Sequence, residues 1–269
     1  MNSVSQQNQL CYDYLESRKK FVDGSPHLKH RVLINYYLSL VKKCCDEVKH
    51  GHFDGHAPRV LDLGAGDGTA TLSFVVEKCS VTAVDISIGQ LTRFKETFPE
   101  YAHQCEVVCA DAVDYLSKTE KQYDVIVFNS FLHHIPDYLA LVEKAMSRLV
   151  KGGILFIFQD PIYYPSLTKF QLFFQKIAYF FWRIKQGNVI EGFKRRMKRN
   201  KGDFSDPMND VEYHASRDGV NQNTIMNMLK QGGFNVEYYP YFSTQSSVFQ
   251  WLGWRLGVKS NFGIIAKKA

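Results

Sequence analysis

Three glycines, a few carboxylates and a pair of adjacent histidines carry the chemistry this chain can perform. Residues 60–68 read Val-Leu-Asp-Leu-Gly-Ala-Gly-Asp-Gly, and residues 81–85 read Val-Thr-Ala-Val-Asp. The apolar run Val60, Leu61, Leu63 stops at Gly64, Gly66 and Gly68, and a helical pattern follows at once. Strand, tight turn and helix in that order let backbone approach a ligand closely. A second apolar strand ends on Asp85, 21 residues after Gly64, where a carboxylate can accept both hydroxyls of a ribose. The glycine spacing is G-x-G-x-G rather than the dinucleotide G-x-G-x-x-G. Asp62 and Asp67 add two carboxylates to the turn. Negative charge there opposes a pyrophosphate and suits a cationic ligand, such as one with a sulfonium and an ammonium. The two motifs together point to a nucleoside-containing, positively charged cofactor.

These residues resemble the class I S-adenosylmethionine-dependent methyltransferases. The resemblance runs through Asp62-Leu63-Gly64-Ala65-Gly66-Asp67-Gly68, Asp85-Ile86-Ser87, Ala110-Asp111-Ala112 and the stretch Asn129 to Pro136. It covers residues 55–160 and continues weakly through Gly232-Gly233-Phe234 and the last strand. It implies S-adenosyl-L-methionine as cofactor. Gly64 and Gly66, with Ala65 and Gly68 in the same turn, would border the methionine part, and Asp62 would help place its amino group. Asp85 would hold the ribose. Asp111 would accept from the adenine amino group, with Ile86 and Ala112 packing on the ring, and Asn129 would complete the cofactor set. For Asp111 an N-cap before a short helix at 112–117 is a second reading, and both roles can coexist.

Methyl transfer from a sulfonium is an in-line displacement that needs positioning, plus a base when the acceptor is a hydroxyl. Family members that methylate base or amide nitrogens often carry Asn/Asp-Pro-Pro-aromatic after strand four. Here that place reads Asn129-Ser130-Phe131-Leu132-His133-His134-Ile135-Pro136. The Pro-Pro pair is absent, and Leu-His-His-Ile-Pro-Asp resembles the small-molecule members. His133 and His134 are base candidates, because imidazole accepts a proton near neutral pH. The alternative is a histidine that hydrogen-bonds the loop or packs on the cofactor. His214, Arg217, Tyr163 and Tyr164 are further candidates, with loop hydrogen bonds and capping as their alternatives. No metal site is expected, since His52 and His56 lie in a Gly-rich loop without a second ligand pair.

The elements that must position these groups follow from periodicity. Helices are expected over 5–21, with Leu10, Tyr14 and Phe21 among its apolar positions, and from Ser25-Pro26 to near Gly51. Strands at 58–63, 80–84, 105–109, 123–129 and 153–159 alternate with helices at 69–78, 88–98, 112–117 and 137–150. Lys151-Gly152-Gly153 reads as a helix stop. Helix 221–231 and strands 234–242 and 262–268 close the chain. The alternation makes the fold class α/β with a mainly parallel sheet; the family resemblance implies the rest, a Rossmann-like, seven-stranded sheet with helices on both faces and the final strand antiparallel between strands five and six, which fits the count. Residues 1–54 form an N-terminal helical cap and 55–160 the cofactor core. Residues 161–215 form a helical lid insertion, and 216–269 end the core.

Two regions exceed what the sheet needs. Phe170, Phe173, Phe174, Ile177, Phe181 and Ile184 recur at helical spacing, widened by Tyr179, Phe180 and Trp182. A second apolar stretch holds Val248, Phe249, Trp251, Leu252, Trp254 and Leu256. Either these pack on each other and on the N-terminal helices, or they wall an apolar substrate pocket. From Arg183 to Lys201 the chain carries eight basic residues and one Glu, so this segment accounts for the net charge of +6. A solvated face, an anionic membrane surface and RNA compete for it; lipid or an anionic small molecule ranks above nucleic acid. With 45% hydrophobic residues the chain can build one sizeable core. Its polar start lacks an apolar run of signal-peptide length. Its six cysteines show no C-x-x-C, which suits free thiols and a cytoplasmic setting, with peripheral membrane contact as an added reading. The expected function is methyl transfer to a hydrophobic small-molecule or lipid-like acceptor, at oxygen. The alternatives are an RNA or protein methyltransferase using the basic run, and a cofactor-binding protein that transfers no methyl group.

Overall fold

The structure is a computed structural model, and it describes residues 3–13, 25–50, 56–187, 190, 194, 197–199 and 201–269. Seven strands form one sheet: β1 (Arg59–Leu63), β2 (Ser80–Asp85), β3 (Glu106–Cys109), β4 (Tyr123–Asn129), β5 (Leu149–Pro161), β6 (Phe234–Tyr241) and β7 (Asn261–Lys268). Their order is β3-β2-β1-β4-β5-β7-β6. β1 to β5 are parallel, and β7 runs antiparallel between β5 and β6.

The near-continuous apolar strands are explained by helices on both faces. Side chains alternate along each strand. Val60, Val125 and Phe156 meet Leu33, Tyr37 and Phe74 from helices Arg31–Lys49 and Thr71–Val76. Leu61, Ile126 and Leu155 meet Leu116, Leu141 and Leu229 from helices Ala112–Lys118, Tyr138–Arg148 and Gln222–Gln231. Fully burying each such side chain stabilises the fold by roughly 1.5–3 kcal/mol. Winding reverses between β1 and β4. A crevice opens there at the carboxyl ends of the strands, where open α/β sheets hold ligands.

Of three local expectations, the first is described only in part and the other two change. The N-terminal helix spans Ser3–Asp13; Tyr14 and Phe21 lie outside the described residues, as do His52 and Gly51. The second helix is interrupted. Pro26–Lys29 makes one short turn, His30 is extended, and Arg31–Lys49 is the long helix. Ser25 makes no side-chain cap, and the break lets His30 Nε2 bond the Thr244 carbonyl at 2.8 Å. The third concerns Lys151-Gly152-Gly153. Helix Tyr138–Arg148 has already ended, with Leu149 extended, buried and paired to Tyr123. Gly152, at φ +77°, bends the irregular start of β5 instead of stopping a helix.

Candidate functional site

A cavity of about 1000 Å³ occupies the switch point. Its floor is the glycine turn. Gly64 and Ala65 donate their N–H groups to the Val84 carbonyl, which staples the turn to β2. Gly64 has φ +79°, and a Cβ there would sit 2.2 Å from the Phe131 ring. Gly66 has φ +55°; a Cβ there would meet nothing within 4 Å, and the residue faces the cavity. Gly68 is placed differently from the expectation. It is not on the cavity wall, and its missing side chain makes room for Phe94.

Asp85 ends β2 and accepts from Gly66 N and Ser87 N, each at 2.8 Å. Burial still lifts its acid to about 6. Asp62 lies beneath the turn rather than on the wall. It accepts from Thr71 Oγ1 at 2.6 Å, and burial also raises it to about 6. Among the described residues its Oδ1 has no partner, and neither does the buried Oδ1 of Asn129 on the wall. Unpaired buried acceptors around an open turn fit a ligand ammonium and not a phosphate. Asp111 caps helix Ala112–Lys118 through Val113 N and Asp114 N, and its Oδ2 accepts from Ser5 Oγ at 2.8 Å. Ile86 and Ala112 share its stretch of wall. The N-terminal helix closes this end: Asp13 accepts from Ser87 Oγ at 2.6 Å and from Gly89 N at 2.9 Å.

The opposite end is built by the loop after β4. Ser130, at φ +54°, turns the chain into the short helix Leu132–His134. His133 donates from its backbone N and its Nδ1 to one oxygen of Asp160, at 3.0 and 2.7 Å. Asp160 is fully buried, and its other oxygen has no partner among the described residues. Gln159, at φ +69°, marks a break in register between Phe158 and Asp160, and such irregularities re-aim side chains. Burial pulls the His133 imidazolium down, but the Asp160 bond and the Glu212 charge raise it above the ordinary value. His133 Nε2 is 3.6 Å from Glu212 Oε2. His134 Nδ1 donates to the Val211 carbonyl, and its Nε2 is 3.4 Å from the Tyr12 hydroxyl. Burial and the neighbouring His133 lower His134 to about 4. His27 also lines the cavity; burial lowers it to about 3.

The other candidates divide. His214 is off the wall. Its Nε2 faces the Ile135 and Pro136 carbonyls at 3.0 and 3.1 Å. A carbonyl only accepts, so that nitrogen carries the hydrogen and has no lone pair to offer. His214 ties the re-entering chain to the His133 loop and does not face an acceptor. Arg217 lies on the wall, its guanidinium over the Tyr213 ring at 3.8 Å. Tyr164 lines the cavity and donates to the Ala215 carbonyl, whereas Tyr163 is off the wall. Asp160 and Glu212 do not stand out in the sequence. A carboxylate at the end of a core strand is a usable signal for Asp160; Glu212 carries none.

Helix Lys169–Gln186 starts with a Thr168/Gln171 capping box and ends at Gly187, φ +70°. Phe174 and Ala178 bury against Phe242 and Val258, with Phe249 alongside. Leu172, Tyr179, Trp182 and Arg183 line the cavity. Phe170, Phe173, Phe180 and Phe181 stay exposed, as do Val248 and Trp251 on helix Ser247–Arg255. Mutual packing and a cavity wall are thus both present, and a third, apolar face is left in solvent. Arg195 and Arg196 of the basic run lie outside the described residues. Among the described residues no helix is long and apolar enough to cross a membrane.

The sequence model of the family described as "Methyltransferase domain" matches residues 60–153. A ubiquinone biosynthesis O-methyltransferase of Klebsiella pneumoniae (strain 342) is 34% identical over 95 residues. That match covers 35% of this chain and 39% of the relative, so the chain spans well under half the length of the curated relatives it matches. In structure, the N-methyltransferase NodS of Bradyrhizobium japonicum WM9, with S-adenosylhomocysteine, is similar at TM-score 0.56, 11% identity and 99% coverage of both chains. The [4+2]-cyclase SpnF is similar at TM-score 0.59 and 15% identity, over 98% of this chain and 96% of that one. Residues 60–153 thus match a methyltransferase domain, and the chain as a whole carries the fold of these solved structures.

Proposed function

We propose that this chain transfers a methyl group from S-adenosyl-L-methionine to a hydroxyl oxygen of a hydrophobic small-molecule or lipid-like acceptor. The observation that carries the reading is His133, held by Asp160 on the wall of the same cavity into which the cofactor turn opens. Asp85 would accept the ribose hydroxyls, and the unpaired oxygen of Asn129 would take up the ammonium, with the charge of Asp62 acting on it from beneath the turn. Ile86, Asp111 and Ala112 would border the adenine. Bound there, S-adenosyl-L-methionine would supply a methyl group on a sulfonium, whose sulfur would keep the C–S electron pair when the acceptor oxygen takes the methyl group. The hydroxyl proton goes to His133 Nε2. Its lone pair is available because Nδ1–H is spent on Asp160, which orients the ring and stabilises the imidazolium. Tyr179, Trp182 and Phe131 give the acceptor an apolar wall. The name of the Klebsiella relative supports oxygen as the acceptor atom.

The exposed aromatic face of helix Lys169–Gln186, beside Arg183 and Lys185, supports contact with an anionic lipid surface, from which an apolar acceptor would enter. A second reading, a cofactor-binding protein that transfers no methyl group, is favoured by the likeness to a [4+2]-cyclase. Incubation with methyl-labelled cofactor and matched panels of apolar alcohols, phenols and amines separates the two. Label in an ether product, with S-adenosylhomocysteine formed alongside, is the expected result. Label in amines only, or tight cofactor binding without product from any panel, would remove the oxygen reading.

A further inference from the structure

We propose that His133, His134 and Glu212 bind one divalent transition cation, of the zinc type, on the wall of the cavity. One donor atom from each residue lies within 4.8 Å of the other two. His133 Nε2 and Glu212 Oε2, at 3.6 Å, are too far apart for a hydrogen bond. Two ligands bound tetrahedrally at about 2.1 Å lie about 3.4 Å apart, so this separation suits a shared cation.

The tautomers agree. His133 Nδ1–H is held by the Asp160 carboxylate, and His134 Nδ1–H by the Val211 carbonyl. A carboxylate or a carbonyl on the far ring nitrogen is the usual support of a metal-bound histidine; it leaves the Nε2 lone pairs for the cation, that of His134 once the long 3.4 Å contact from the Tyr12 hydroxyl gives way. Two further polar atoms point to a missing partner here. Among the described residues Asp160 Oδ2 and His27 Nδ1 are buried with no hydrogen-bond partner, and His27 is on the same wall.

Two imidazoles and one carboxylate suit zinc, cobalt or manganese better than magnesium or calcium. Three protein ligands leave a position open toward the cavity. The role of the cation rests on the oxygen-transfer reading. An acceptor hydroxyl bound in the open position loses its proton to water and reacts as the oxyanion. His133 is then a ligand, and it serves as the base only in cation-free protein.

The test uses the full chain without a histidine tag, stripped of metal and titrated with Co²⁺ followed by visible absorption, then with Zn²⁺ in competition. One saturable site with intense tetrahedral-type bands is expected. Glu212→Gln and His134→Ala should each weaken it at least tenfold, while His50→Ala at an exposed position leaves it unchanged. Glu212 is half-exposed, so the Gln variant is expected to keep the wild-type melting temperature and to report on binding alone. No saturable absorption, or equal affinity in Glu212→Gln, overturns the site. Transfer to hydroxyls that proceeds fully in protein binding no Co²⁺ overturns the cation and leaves the oxygen reading intact. Co²⁺ binding by a protein that methylates only amines supports the site and removes the oxygen reading.

Discussion

The two ends of the cavity are built by different means. At the cofactor end, short stretches of contiguous chain do the work: a turn of five residues from Gly64 to Gly68, and Asp85 with Ser87. Backbone geometry dominates there, with left-handed glycines, N–H groups on Asp85 and two N–H groups on the Val84 carbonyl. At the acceptor end, side chains from five separate stretches converge: His27, His133 and His134, Asp160, Glu212, and the face of helix Lys169–Gln186. A backbone-built site tolerates little change in the chain that forms it. A side-chain-built site can be altered one contact at a time while the other end keeps working.

Substitutions in the turn should give the largest effects. Gly64→Ala forces a left-handed alanine, at about 1–2 kcal/mol, and drives a methyl group into Phe131, which adds about 1–3 kcal/mol of overpacking. Thermal melting should fall and cofactor binding should be lost. Gly66→Ala has open space around it, so only the left-handed cost applies. It should melt close to wild type yet bind cofactor poorly, because its methyl group faces the cavity. Equal melting curves for the two variants would break the distinction between a packed and an open glycine.

Asp85→Asn comes next. Losing a charge-assisted acceptor should weaken S-adenosylhomocysteine by about 1.5–3 kcal/mol in calorimetry, with folding retained. Unchanged affinity would move the ribose elsewhere.

The same carboxylates predict a pH dependence. Asp62 and Asp85 sit at about 6 in the folded protein, above the ordinary carboxylate range. Between about pH 4 and 6 the folded state therefore holds protons that the unfolded chain has lost, and these two groups favour folding less as pH rises through that window. Cofactor binding runs the other way. It needs the ionised carboxylates, so affinity should rise roughly tenfold per pH unit toward pH 6 for each proton released, and level off above. A flat affinity between pH 5 and 7 would contradict a role for either group.

The smallest effect is expected on the exposed aromatic face of helices Lys169–Gln186 and Ser247–Arg255. Phe173→Ser and Trp251→Ser remove exposed rings and should shift stability by no more than about 0.5 kcal/mol. Both should reduce binding to anionic vesicles at low salt. A large loss of stability would mean that this face is covered in solution by something other than lipid.

How far each end was legible in the sequence follows from the same contrast. The strands and the turn were readable, because strand periodicity and glycine spacing are local; the order of the strands came with the family resemblance that those motifs carry. His133 and His134 were readable as a motif, but their tautomers and partners were not. Asp160 reaches His133 through a register break at Gln159, and Glu212 arrives from the end of the 161–215 stretch; no spacing rule joins either to residue 133. His214 looked equivalent to the pair because histidine type alone does not reveal that Nε2 is spent on two carbonyls. Helical spacing found the aromatic stripe, but it does not say which third of a helix is packed, which lines a cavity and which is left in solvent.

The central claim is that Asp160 and His133 serve transfer and not cofactor binding. Single-turnover methyl transfer by Asp160→Asn, measured across a cofactor titration with an accepted hydroxyl substrate, tests it most directly. Half-saturation at the wild-type cofactor concentration, with the maximal rate lowered by about a hundredfold or more, is the expected result. A wild-type maximal rate, or a shift in half-saturation that accounts for the whole loss, would contradict it.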